Sequence, residues 1–562
     1  MRILLLLALA ISALAQDRTQ ARSMVISDRG IVATSQTLAS QAGAQILARG
    51  GSAIDAAIAA NATLGVVEPM MNGIGGDLFA IYWDAKAGKL TGLNASGWAP
   101  KALTIDVLKS LGNESMPPRG IQSVTVPGAV DGWAKLHARF GKLPWRELFE
   151  PAIYYADHGY PVTELIQEEW RLSVGKLAAD ENARQVFLHA GAEPKLGEVF
   201  RDPQMASALR LIATSGPEAF YRGPIAKAIL KTSDRLGGKM AAADLSEFTA
   251  EWVQPVSTEY HGWKVYEMPP NSQGIAALEM LNLFAQFPLR QYFSRSAEEL
   301  HVQIEAQKLA YADLHRYVAD PKFAKVPVDG LLSLDYAHER AGHIDREKAN
   351  CDTPPGKPLP ATGDTIYLSV VDREGNIVSL IQSLYSSFGS GVVVDDYGFA
   401  LHNRGALFTL DAQHPNALVP RKRPFHTIIP GFMEKGDLHI GFGIMGGFNQ
   451  AQAHAQFVSN IVDQEMNIQA ALEAPRFTKL TFGGCDVAIE NRVPAEVRDG
   501  LTARGHRLNV LGDFSTTVGG GQAVVYDSAA KIKYGASDPR KDGAAVPEPH
   551  PYFTNPSTPP RR

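Results

Sequence analysis

Thr365 follows Asp364 and opens the run TIYLSVV, in which polar and apolar residues alternate. Period-two alternation predicts a strand over 365–371. Ile366, Leu368 and Val370 lie on one face, and Thr365, Tyr367 and Ser369 on the other. The cluster DREGN at 372–376 reads as a turn, and a second strand is expected over 377–384. If Asp372 faces Asn376, Thr365 lies opposite Ser383 with both hydroxyls on one face, unless a bulge shifts the register by one. A Thr hydroxyl alone is a weak nucleophile and needs a base. A cut before Thr365 would create one, because a free α-amino group titrates at about 7.7–8.0 and would sit on the same residue. N-terminal Thr is one of the convergent solutions to acyl transfer. The cut needs no protease: Thr365 Oγ can attack the Asp364 carbonyl, and water can then hydrolyse the ester.

Other chemistries find less support. No G-x-S-x-G elbow, H-E-x-x-H pair or acidic metal motif occurs, so neither metal nor cofactor is expected. The turn NGIGGD at 72–77 lacks both phosphate-loop patterns, and it runs from helix to strand rather than the reverse.

The elements that must position this hydroxyl pair are spread along 562 residues. Apolar spacing predicts helices over 39–49, 56–67, 297–318 and 450–462, with a capping-box-like Ser52 and Asp55 before the second. Strands are expected over 78–83, 365–371, 377–384, 398–401 and 438–442. Residues 350–363 hold four prolines without periodicity and read as a mobile linker. The Pro-rich tail, 547–562, reads as disordered. No internal repeat is found. A net charge of −5 without a basic stripe argues against nucleic acid. The N-terminal MRILLLLALAISALAQ has the charged start, apolar core and small-residue end of a secretory signal over 1–15. It is shorter than the ~20 residues that span a bilayer, and no later segment is apolar enough to do so. A membrane anchor is the alternative reading of that segment. The two cysteines, Cys351 and Cys485, are too few for a zinc site. An oxidising compartment would permit them to bond.

The order of further motifs widens this reading. MVISDRGIVATSQTLASQAGAQILARGGSAIDAAIAANATLGVVEPMMNGIGGD (24–77) is followed by VPGAVDGW, FGKLPWRELFEPAI, PPNSQG, EAQKLAYAD, DTIYLSVVD, FGSG, KRPFHTIIP, EAPRF and GASDPR. In this order they resemble the γ-glutamyltranspeptidase family of N-terminal nucleophile hydrolases over nearly the whole chain. The resemblance implies an α+β fold, a four-layer αββα sandwich, built from a proenzyme that cleaves itself. A large subunit (16–364) and a small subunit (365–562) would remain intertwined. Thr365 matches the family nucleophile and Ser383 the Thr that supports its amino group. Gly446-Gly447 matches the glycine pair whose backbone N–H groups form the oxyanion hole. The activity implied is hydrolysis or transpeptidation of a γ-glutamyl amide such as glutathione, with water or an amine as acceptor, in a secreted or periplasmic protein.

Some positions depart from the family pattern. Where transpeptidases hold the glutamyl α-carboxylate with an Arg and a Ser-Ser pair, this chain has Ser96 and His426-Thr427. The Asn before the family's ammonium-binding Asp is kept as Asn403. The next residue is Arg404, and the Asp position itself is Leu407. An α-ammonium would lose its countercharge there and meet a like charge, whereas Arg404 suits a carboxylate. The segment between Phe408 and Arg421 is shorter than many transpeptidase lids, so a more open site is expected. These features resemble the cephalosporin (glutaryl) acylase and oxamate amidohydrolase branch, in which the acyl group carries a carboxylate without an α-amino group. A secreted binding protein that kept this fold without turnover is the reading from another class.

Overall fold

The computed structural model describes residues 20–352, 364–479, 481 and 483–552, with the Asp364 side chain excepted. The stretch expected to be a signal, the middle of the expected linker and the end of the tail lie outside the described residues.

Two seven-stranded sheets form the centre. One runs, edge to edge, through Val25–Ser27, Ile532–Ser537, Gly521–Asp527, Leu438–Ile444, Gly431–Lys435, Trp263–Glu267 and Val256–Tyr260. The other runs through Ala544–Pro547, Ile31–Thr34, Asp364–Val371, Ile377–Tyr385, Asp77–Asp84, Lys89–Ala95 and Glu251–Val253. Each sheet takes strands from both sides of residue 364.

Alternation along the strands assigns side chains to layers. Tyr367, Val371, Ile377 and Ile381 meet Phe432, Met445 and Val524 of the facing sheet in one buried cluster. Close approach there needs small residues: a Cβ on Gly443 would lie 2.5 Å from the Tyr367 ring. Ile366, Leu368 and Val370 point the other way, into a cluster with the helix Ala53–Val67. That helix is buried all round, as its run of Ala and Ile dictates, and Ser52 and Asp55 form the expected capping box. On the far side, Gly274–Phe284, Ala297–Tyr317 and Asn449–Val462 cover the first sheet. The result is the four-layer αββα sandwich expected.

Two expectations are corrected. Residues 398–401 form no strand; Ala400 makes only an isolated bridge to Val393. The tail starts as structure: Pro547 ends an edge strand, a place that tolerates proline. Beyond it, the buried Glu548 accepts from Gly30 N at 3.1 Å and pairs with Arg29 and Arg373. Of the expected linker only the ends are described, Cys351 bonded to Cys485 and Asp364 opening a strand; residues 353–363, on which the mobile reading falls, lie outside the described residues.

Candidate active site

The hairpin carrying Thr365 keeps the register counted from its turn: Val371 faces Ile377, and the pairing continues in step to Ile366 and Gln382. It then slips, because Asp364 pairs with Tyr385. Ser383 and Leu384 therefore stand together against Thr365 in a bulge, a device that re-aims side chains. Thr365 and Ser383 hydroxyls lie 3.3 Å apart, and Ser383 Oγ accepts the Tyr385 N–H at 2.7 Å. Tyr385 itself has φ of +76°, a conformation that bulky residues rarely adopt. Thr365 is 2 % exposed. The short 408–421 segment is folded onto itself: Asn416 donates to the Leu407 carbonyl and Lys422 Nζ to that of Ala417.

A third group, one that the sequence did not single out, reaches the Thr365 hydroxyl. Gln450 Nε2 lies 3.4 Å from Thr365 Oγ, while its Oε1 accepts from Ile429 N at 3.0 Å. Gln450 stands in the first turn of Asn449–Val462, whose N-terminus carries a partial positive charge. Gly446 and Gly447 lead into that turn with φ of +113° and +57°, which explains why both are glycine. The Gly447 carbonyl accepts from Gln273 Nε2 at 2.8 Å, which fixes the peptide orientation. Ser383 and Gln450 can both donate to Thr365 Oγ, and such donors stabilise charge as a hydroxyl proton departs.

Asp77 gathers three of the expected residues, Arg404, His426 and Thr427. It begins the strand next to Ser383 and pairs with Ser383 directly. Its carboxylate receives Arg404 through two bonds, Nε to Oδ2 at 3.1 Å and Nη2 to Oδ1 at 3.2 Å. His426 Nε2 lies 2.6 Å from Oδ2 and His402 Nδ1 3.2 Å from it. Arg404 Nη1 donates to Thr427 Oγ at 2.8 Å, and the guanidinium lies over the Tyr385 ring. Arg404, His426 and Thr427 thus converge, but on an internal carboxylate. The fork expected to meet a substrate carboxylate is occupied by Asp77. Burial alone would raise the Asp77 carboxyl, but Arg404, His426 and His402 outweigh it and hold it well below the usual range. Burial, with Arg404 beside it, pushes His426 down to about 4, so its imidazole is neutral at pH 7.

The other expected residues stand apart from this cluster. Ser96 Oγ donates to Asn94 Oδ1 at 2.7 Å and accepts from Asn271 at 3.3 Å. Asn403 holds a turn, taking Ser386 N at 3.1 Å and giving to the Pro118 carbonyl at 2.7 Å. Leu407 is fully buried. The glycine run before Asp77 has a steric cause: a Cβ on Gly75 or Gly76 would strike the Ala400 or Ser383 carbonyl, at 2.1 and 2.6 Å.

The chain as a whole is similar to known proteins. The family model described as Gamma-glutamyltranspeptidase matches residues 39–548. The chain is 37% identical over 527 residues to a Glutathione hydrolase-like YwrD proenzyme of Bacillus subtilis, covering 93% of this chain and 99% of that protein. An Oxamate amidohydrolase proenzyme of Klebsiella pneumoniae is 34% identical over 532 residues, with 93% and 99% covered. Among solved structures, a cephalosporin acylase from Bacillus halodurans superposes with a TM-score of 0.88 at 42% identity, covering 95% of this chain and 98% of that one. With a match along nearly its whole length and two stacked sheets in the corresponding fold, the chain belongs to the γ-glutamyltranspeptidase family.

Proposed function

We propose that this protein is a self-processing threonine amidohydrolase whose nucleophile is Thr365. The observation that carries the reading is the bulge, which sets the Thr365 hydroxyl 3.3 Å from Ser383 and 3.4 Å from Gln450. In the precursor, Thr365 Oγ attacks the Asp364 carbonyl. The peptide C–N bond breaks, the amine remains on Thr365, and an ester joins the fragments until water cleaves it. The products are an Asp364 carboxylate and a Thr365 carrying free amine and hydroxyl. In turnover the amine takes the hydroxyl proton as Oγ attacks a substrate amide. Gly446 and Gly447 N–H groups receive the developing oxyanion, a role worth about 3–4 kcal/mol per donor elsewhere. The proton passes to the leaving amine, and water or another amine releases the acyl group. The names of the two curated relatives, both proenzymes, support the processing step. The leader-like N-terminus and the Cys351–Cys485 bond favour a secreted or periplasmic location. Among the described residues, no helix is long and apolar enough to cross a membrane.

For the acyl group, the geometry favours one without an α-ammonium over γ-glutamyl. Leu407 is buried where the family carries a carboxylate, and Asp77 is already engaged by Arg404, His426 and His402. Release of p-nitroaniline from glutaryl and γ-glutamyl derivatives tests this. Glutaryl turnover equal to or above γ-glutamyl is expected, and a tenfold preference for γ-glutamyl overturns the substrate reading. Thr365→Ala is expected to abolish both cleavage and hydrolysis; unchanged hydrolysis would remove Thr365 from the mechanism.

A further inference from the structure

The chain's two cysteines lie on opposite sides of the Asp364–Thr365 bond, and they are joined: Cys351 and Cys485 have Cα atoms 4.9 Å apart. The segment bearing Cys351 is docked by buried groups. Asn350 N donates to Glu305 Oε2 at 3.2 Å, and Lys308 Nζ donates to the Asn350 carbonyl at 2.9 Å and to Glu305 Oε1 at 2.6 Å. Ala349 N donates to the Arg504 carbonyl at 2.7 Å, across to the sequence beyond Thr365. Glu305, His301 and His506 stand close enough to share a metal ion. However, the Lys308 ammonium already counters Glu305, and a divalent cation there would face a like charge. The cluster therefore works as an anchor for the segment ending at Cys351.

We propose that the Cys351–Cys485 disulfide becomes a covalent link between two subunits once the chain is cut before Thr365. This rests on the self-cleavage reading above. Before the cut the bond closes a loop within one chain. Afterwards Cys351 belongs to the large fragment and Cys485 to the small one, and with two cysteines in all no other disulfide can join them. Forming the bond removes two electrons and two protons from the thiols, which pass to a disulfide oxidant by exchange in an oxidising compartment. The link makes reassociation of the fragments intramolecular. It also leashes the new Asp364 carboxylate: the stretch 352–364 can extend only about 45 Å from Cys351 at ~3.3–3.6 Å per residue.

The purified full-length protein, denatured after thiol alkylation, is run on a gel with and without dithiothreitol, beside Cys351→Ser. One species of full-chain mass without reductant that splits into two with it is the expected result. Cys351→Ser should then give two fragments without reductant. Two fragments from the unreduced native protein overturn the link while leaving the cut intact. A single chain under both conditions overturns the cut, and the link with it. Melting adds a second readout. The linked protein should melt at a temperature independent of its concentration, and cut Cys351→Ser at one that rises with concentration; identical concentration dependence for the two overturns the proposal.

Discussion

At the residue scale, the site rests on what surrounds one hydroxyl. Ser383→Ala removes one neighbour of Thr365 Oγ and leaves the Tyr385 N–H without its acceptor. Slower self-cleavage is expected, read as precursor remaining on a gel over time. Gln450→Ala should lower kcat by roughly tenfold, the equivalent of ~1.4 kcal/mol, as befits one hydrogen bond to a developing charge. Thr365 and Ser383 were legible in the sequence because a period-two strand and a short turn are local signals. Gln450 and Asp77 were not, because they reach the site from strands and helices distant along the chain. Asp77 also reads in the sequence as the end of a glycine turn. It supplies two further expectations. Asp77→Asn leaves the buried Arg404 without its countercharge, which typically costs about 3–5 kcal/mol, measurable as a lower urea midpoint. The neutral His426 adds a pH dependence. Its folded pKa of about 4 lies below the unfolded value of about 6.5, so the unfolded chain binds the proton first. Its contribution is complete above pH 6.5 and is lost as pH falls toward 4. Between these values, the slope of stability with pH should be smaller in His426→Asn by about one proton than in the native protein.

At the scale of elements, two motifs that stand apart in sequence prove to be halves of one buried ion cluster. Arg476 of EAPRF pairs with Asp538 of GASDPR at 2.6 Å, and Arg540 of the same motif pairs with Glu490 at 2.5 Å and Asp538 at 3.0 Å. Burial alone would raise the Asp538 carboxyl, but Arg476 and Arg540 outweigh that desolvation and hold it below the usual range. The cluster joins the helix Ile468–Glu473 and the strand Asp486–Glu490 to the strand Ile532–Ser537. Arg540→Leu should therefore destabilise the fold by about 3–5 kcal/mol, because Glu490 loses its buried partner. Denaturant unfolding measures this. Helices with strong periodicity, such as Ala297–Tyr317 and Asn449–Val462, were legible to within a residue or two. Residues 398–401 failed as a strand because their alternation serves packing of a loop onto Asp202 and the glycine turn, not a ladder. The edge strand Ala544–Pro547 was hidden by prolines that follow it.

At the scale of the molecule, each sheet is woven from both sides of the proposed cut. Asp364–Val371 sits between Ile31–Thr34 and Ile377–Tyr385, and Leu438–Ile444 shares its sheet with Trp263–Glu267. Parting the fragments would unpair Ile31–Thr34 from Asp364–Val371, Asp77–Asp84 from Ile377–Tyr385, and Trp263–Glu267 from Gly431–Lys435. Cleavage should thus leave the far-UV circular dichroism unchanged and a single cooperative melting transition; two transitions would indicate fragments that fold separately. The layered architecture was legible only through resemblance, since strand order across a sheet leaves no trace in local periodicity. The central claim is that an alcohol and a liberated amine on Thr365 perform the chemistry. Intact mass and N-terminal sequencing of the active protein after reduction test it most directly. Two chains, the smaller beginning at Thr365, are the expected result, and full activity in a single uncut chain would contradict the account.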